Sequence, residues 1–338
     1  MSNKRIEWID VYKGMLIFLV VLGHVFQGIA SDHTVTNYPG YTSILYSKWI
    51  IYSFHMPAFF LAGGFFAYCL FTKLNKLYFW HRFRRLAQPY FIWGFITAIF
   101  MQLASHFTNN GQGLRDFLYS PIRPFSIFWF LYVYLFIFII QVILVILFND
   151  KGNKVFLSLA VILFLVNPVI PQLWIVKSVS TYMIYYTLGL FTLSFVSKCN
   201  NLFGKRRSIV FWIIMFGMFF GIYFVYKKQG LPNNAYYLNF LTAITGSGLF
   251  ICLAMFVSKF HNWFSNMNDY FGKYSMQIYV VHLLPIAGAR ILLLRVLHFD
   301  NLWLVTVIIT IISMLSCIFV IEISRKLHLE KILFATIK

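Results

Sequence analysis

The chain has 338 residues, of which 60% are hydrophobic, 21% aromatic and only 11% charged, and its mean hydropathy is +0.76. A soluble domain carries roughly 25% charged residues, and strands this apolar could not alternate polar and apolar faces as a transmembrane barrel must; what remains is an all-α, polytopic helical membrane protein. The formal net charge of +19 calls for no nucleic acid, because basic loops facing the anionic lipid bilayer account for most of it.

About ten spanning helices are predicted, near 11–30, 46–70, 89–107, 126–148, 154–169, 180–197, 208–226, 236–257, 275–296 and 302–323. Each is close to the ~20 residues that cross ~30 Å of hydrocarbon. The first begins within RIEWIDVYKGMLIFLVVLGH, where Arg5, Asp10, Lys13 and Gly14 introduce an apolar run, Met15 to Ile29, interrupted by His24. The run is too long for a signal peptide and lacks a small-x-small cleavage pattern, so it reads as a spanning helix. An imidazole at that depth is costly. Either it handles protons or it is satisfied by a bond to a neighbouring helix. Asp10 and Lys13 pair on one helical face. Asp10 cannot reach His24, because positions 10 and 24 of a straight helix stand roughly 21 Å apart; any partner of His24 comes from another helix.

The second span carries SFHMPAFFLAGGFF. Pro57 removes a backbone donor just after His55, and Gly63-Gly64 permits a close contact or a kink. His55 is expected in the outer part of this helix, at a depth compatible with a cavity shared with His24, or else in an interhelical hydrogen bond. HRFRRLAQPYFIW follows in the second cytoplasmic loop. On a helix Arg82 and Arg85 would share a face, and guanidinium forks bind phosphates bidentately. An ordinary topology-setting basic loop has the same composition. The polar stretches Ser31 to Lys48 and Thr108 to Pro124 fall outside, and the fourth span opens on Trp129-Phe130-Leu131. The span at 154–169 is short and ends on Asn167-Pro168. The ninth, within YSMQIYVVHLLP, holds His282, and Pro285 breaks it; the tenth ends near Glu322.

The basic residues lie mostly in one set of loops, around Lys4, Lys73, Arg82 to Arg85, Lys151, Lys205 to Arg207, Lys259 and Arg325. The positive-inside rule places these loops and both termini in the cytoplasm. Acidic residues are few, and only Asp10 and Glu322 lie at or inside a span; paired catalytic carboxylates at the membrane centre are therefore excluded. Cys69, Cys199, Cys252 and Cys317 show no motif spacing and read as small core residues, with no metal site expected. Tyr38, Tyr41, Trp49, Tyr52 and Trp174 suit either sugar stacking or an interfacial aromatic belt. No linker or composition break appears, so residues 1–338 read as a single membrane-embedded domain without a soluble appendage.

From Arg5 to about Ser324 the chain resembles the acyltransferase family 3 membrane proteins, the group that includes bacterial polysaccharide O-acetyltransferases. The motifs are Arg5 with Asp10, Lys13-Gly14 and His24; FHMPAFFLAGGFF; Arg82-Phe83-Arg84-Arg85 followed by Pro89-Tyr90; Trp129-Phe130-Leu131; and Ile278 to His282. The resemblance implies a membrane O-acyltransferase. It would move an acetyl or other short acyl group from cytoplasmic acyl-CoA to a hydroxyl of a cell-envelope or exported glycan, in a bacterial inner membrane. It implies a catalytic His24 and donor binding by Arg82 and Arg85. Asp10, Lys13, His55, His282 and Glu322 are supporting candidates, Glu322 because some relatives use an acidic residue in a late helix. Many relatives add an extracytoplasmic hydrolase-like domain; here the bundle is expected to do all the transfer chemistry, by direct attack or through a transient acetyl-His24. A transporter or flippase of a lipid-linked or acylated sugar is the competing class, and a non-catalytic assembly subunit would leave His24 unexplained.

Overall fold

The computed structural model describes residues 6–65, 67, 75–104, 113–171, 173–202, 205–229 and 236–336. Lys4, Arg5, Cys69, Lys73, the Cys199 side chain and positions 108–112 of the predicted outer loop lie outside the described residues. Among the described residues every regular element is helical. They are α1 (Glu7–Ala30), α2 (Tyr41–Tyr52), α3 (His55–Phe65), α4 (Lys76–Leu103), α5 (Leu114–Leu118), α6 (Trp129–Phe148), α7 (Gly152–Val166), α8 (Trp174–Leu202), α9 (Lys205–Gln229), α10 (Tyr236–Val257), α11 (Trp263–Lys273), α12 (Ser275–Val281), α13 (Leu283–Arg290), α14 (Leu302–Lys326) and α15 (Glu330–Leu333).

Five described stretches are long and apolar enough to cross a membrane: α1, α4, Ser126–Val169, α10 and α14; α12 with α13 makes a sixth if the bent pair is one span. Ser126–Val169 is not a single rod. Asn149 turns the chain with φ 47°, a side chain on Gly152 would meet the backbone of Leu144 and Val145, and the Gln141 amide donates to Asn153 Oδ1 at 3.3 Å. These contacts fold α7 back against α6. The chain is a multi-pass helical membrane protein.

Two expectations about local structure change, and one is met. The segment 46–70 is not one helix: it breaks at Ser53 and Phe54, and Pro57 sits in the first turn of α3, where a missing N–H costs nothing. The Arg82–Arg85 run is not in a loop. Asn75 Oδ1 accepts the Tyr78 amide at 2.8 Å, capping α4 early enough to make the whole basic run helical. The ninth segment is broken, as Pro285 leads one to expect: it bends by 42° at His282, with Pro285 in the first turn of α13.

The described chain divides into two compact units. The first comprises Met1–Phe18, Ile50–Lys73 and Ile137–Lys273. In it a side chain on Gly14 would overlap the Asn268 carbonyl, and one on Gly272 would overlap that of Asp10, so α1 and α11 cross backbone against backbone. Gly64 and Gly189 let α3 and α8 do the same through the carbonyls of Tyr186 and Leu61. The second unit comprises Leu19–Trp49, Leu74–Phe136 and Tyr274–Lys338. There α14 packs on α12 and α13, with Cys317 Sγ 3.9 Å from the Ile278 carbonyl and the Arg325 guanidinium 5.9 Å from the centre of the Tyr274 ring. The tail is tied to α4: Gln88 Nε2 donates to the carbonyls of Lys331 and Ile332 at 2.7 and 2.6 Å, Trp93 Nε1 donates to that of Leu333 at 3.0 Å, and Phe334 stacks on Trp93.

Candidate active site

His24 lies half-buried in the second half of α1, within the second unit. As the helix geometry requires, its neighbour comes from elsewhere in the chain: the His282 ring stands 5.1 Å away, centre to centre, inclined at 48°. His282 is fully buried at the break between α12 and α13. Its Nδ1 lies 3.2 Å from the Ile278 carbonyl oxygen. A carbonyl only accepts, so Nδ1 carries the proton and Nε2 of the neutral ring presents a lone pair.

From His282 a line of rings continues within the same unit. Tyr279 lies 5.8 Å from His282, Phe130 lies 5.5 Å from Tyr279, and Tyr134 lies 5.8 Å from Phe130. The Tyr279 hydroxyl donates to the Ile127 carbonyl, which fixes α12 against the start of α6. The line ends on Arg82, whose guanidinium donates to the hydroxyls of Tyr134 and Tyr78, each at 3.0 Å. Arg85, one turn further along α4, is exposed and lies within electrostatic reach of the Arg82 guanidinium. His81, on the same face as Arg85, has a buried Nδ1 with no hydrogen-bond partner among the described residues.

The other candidates fall elsewhere. Asp10 and Lys13 belong to the first unit and pair through Lys13 Nζ and Asp10 Oδ1 at 2.7 Å. His55 is also in the first unit. Its Nδ1 donates to the Ile51 carbonyl at 2.7 Å, one turn back along the chain, and its ring meets Tyr52 edge-on at 4.8 Å. Glu322 sits on the exposed end of α14, where Arg325 donates to both its oxygens at 2.9 and 3.1 Å. Cys317 marks the level of Ile278 on α14, and from there Glu322 and His282 lie in opposite directions, roughly 14 Å apart along the helices.

One polar cluster in the second unit has no counterpart among the candidates. Asp32, just past the end of α1, is 1% exposed. It accepts from the Thr34 amide and hydroxyl at 3.2 and 2.8 Å, and from Arg290 and Arg295 at 3.2 and 3.3 Å. Arg290 also donates to the Gly28 carbonyl at 3.2 Å. Burial pushes the Asp32 carboxyl upward, but the two Thr34 bonds and the Arg295 guanidinium together outweigh it and hold the group below the usual carboxylate range. The sequence signal for this cluster is slight: an acidic residue and two basic residues at expected outer helix ends, far apart in the chain. Tyr78 and Tyr134 carry no signal beyond their hydroxyls, and Tyr279 lies in the Ile278 to His282 motif without being singled out by it.

Neither the curated proteins nor the solved structures include a significant match. The acyltransferase domain family Acyl_transf_3 matches residues 6–322, nearly the whole chain, so a membrane acyltransferase fold carries the imidazole pair and the arginine pair, and the chain belongs to acyltransferase family 3.

Proposed function

We propose that this acyltransferase moves an acetyl or other short acyl group from cytoplasmic acyl-CoA, its co-substrate, to a hydroxyl of a cell-envelope or exported glycan, in a bacterial inner membrane. The observation that carries the reading is the line of rings joining His24 and His282 to Arg82 inside one compact unit. Arg82 and Arg85 supply the bidentate forks that phosphates of a nucleotide need. The hydroxyls of Tyr78 and Tyr134 hold Arg82 in one orientation.

With the phosphates of the donor held there, the thioester end is directed toward His24. A neutral His24 takes the proton from the acceptor hydroxyl as that oxygen attacks the thioester carbonyl. The tetrahedral intermediate expels the CoA thiolate, and His24 returns the proton to that sulfur. The products are the acyl ester and free CoA thiol. General-base assistance of this kind contributes about 10²–10⁴ in rate.

Membranes containing the protein, given labelled acetyl-CoA, are expected to transfer label into a glycan or glycolipid. His24→Ala is expected to lower that transfer by about 10²–10⁴-fold while the protein still inserts and folds. A transporter would move a lipid-linked sugar and leave the label on acetyl-CoA.

A further inference from the structure

His282 is more than a neighbour of His24. Its Nε2 is buried and has no hydrogen-bond partner among the described residues, and an unsatisfied buried acceptor is destabilising. The ring is anchored through Nδ1 on the Ile278 carbonyl, which leaves Nε2 as its remaining hydrogen-bonding atom. The 5.1 Å separation of the His24 and His282 ring centres is about that of two imidazoles joined by one N–H···N bond; closing it takes a rotation of the half-buried His24 ring. The other titratable groups around His282 do not compete for that role. The Tyr279 phenol donates to the Ile127 carbonyl, and the Cys317 thiol faces the Ile278 carbonyl.

We propose that His282 is a positioning residue for His24. Its Nε2 accepts the N–H of His24, which fixes the tautomer so that the other His24 nitrogen carries the lone pair facing the acceptor hydroxyl. When His24 takes the acceptor's proton, the imidazolium keeps its N–H on His282, and the bond is strengthened by the charge. His24 alone then returns the proton to the thiolate; His282 exchanges none. This rests on the acyl-transfer reading given above.

The test uses the full chain in membranes with labelled acetyl-CoA and the endogenous acceptor. His282→Leu removes the acceptor nitrogen at similar volume, and His282→Gln restores an acceptor oxygen near the Nε2 position. H282L is expected to lower turnover by about 10²-fold with the acetyl-CoA KM unchanged. Loss of the acceptor destabilises the His24 imidazolium, so the acid limb of the remaining pH–rate profile moves to lower pH. H282Q is expected to recover to within about tenfold of the parent, with the acid limb restored. Wild-type turnover in H282L, or H282Q no better than H282L, overturns the proposal. Where H282L does not insert, His282→Asn, whose amide is too short to reach His24, takes its place, and equal turnover in H282N and H282Q overturns it. An active H24A would sink the acyl-transfer site itself, whereas an inactive H24A beside a fully active H282L sinks only this role for His282.

Discussion

Asp32 and Arg290 are 258 positions apart in sequence and almost completely buried, so neither tolerates losing the other. Removing one partner of a buried ion pair costs about 3–5 kcal/mol, because the other is left charged and unpaired. Asp32→Asn is therefore expected to lower the thermal midpoint of the purified protein clearly at pH 7. The pH dependence has a definite sign. The Asp32 carboxyl is held below its usual range, so its stabilisation is fully present above about pH 3.9, the unfolded value, and is lost as pH falls through the lower folded value. Between pH 5 and 8 this group contributes no slope, and D32N is expected to remove part of the acid loss seen in a thermal series below pH 4. A D32N protein as stable as its parent contradicts the buried-pair account. At the donor end each charge-assisted bond to phosphate is worth about 1.5–3 kcal/mol, so Arg82→Ala and Arg85→Ala are each expected to raise the acetyl-CoA KM roughly 10–100-fold. Steady-state kinetics with KM unchanged in the double variant would move the donor elsewhere. His24, Arg82 and Arg85 are legible in the sequence because each is a polar group where apolar surroundings or helical spacing make it conspicuous. The approach of His282 to His24, and the ties of Arg82 to tyrosine hydroxyls, are not, because they depend on which helices meet.

At the scale of elements, the same sequence feature, a histidine just ahead of a proline, marks both broken segments. His55 precedes Pro57 and His282 precedes Pro285; each imidazole donates through Nδ1 to a carbonyl one turn back, a carbonyl that also accepts a backbone amide, from Phe54 at Ile51 and from His282 at Ile278. Hydropathy sees neither break, because the residues on both sides are equally apolar. Nor does it see the start of α4, which is decided by the Asn75 cap and extends the helix through a run that charge alone assigns to a loop. The Lys13-Gly14 pair of the first-helix motif divides its roles. Lys13 pairs with Asp10, while Gly14 admits the Asn268 backbone. Gly14→Val is expected to push α1 and α11 apart at a cost of about 1–3 kcal/mol or more, read as a lower melting temperature in detergent. Gly217→Ala, inside α9 with no described atom within 4 Å of the added carbon, is the control and is expected to hold or slightly raise stability, since alanine favours a helix interior over glycine by about 0.5–1 kcal/mol. Equal behaviour of the two variants contradicts the crossing.

On the scale of the whole molecule, composition is enough to establish the class: 11% charged residues in 338 admit only a membrane-embedded helical protein, and the family match over residues 6–322 makes it an acyltransferase. The segments at 236–257 and 302–323 coincide closely with α10 and α14, since unbroken apolar runs of that length have no other stable state in lipid. The division into two units leaves no mark on composition, because both are equally apolar, and it separates the candidates. Asp10, Lys13 and His55 fall in one unit, and His24, His282, Arg82, Arg85 and Glu322 in the other. The central claim is that His24 activates an acceptor hydroxyl against a CoA thioester held by Arg82 and Arg85. The most direct measurement is transfer of label from acetyl-CoA to endogenous glycan in membranes containing either the parent or H24A at equal levels. The account predicts incorporation with the parent and a loss of about 10²–10⁴-fold with H24A; equal incorporation in both would contradict it.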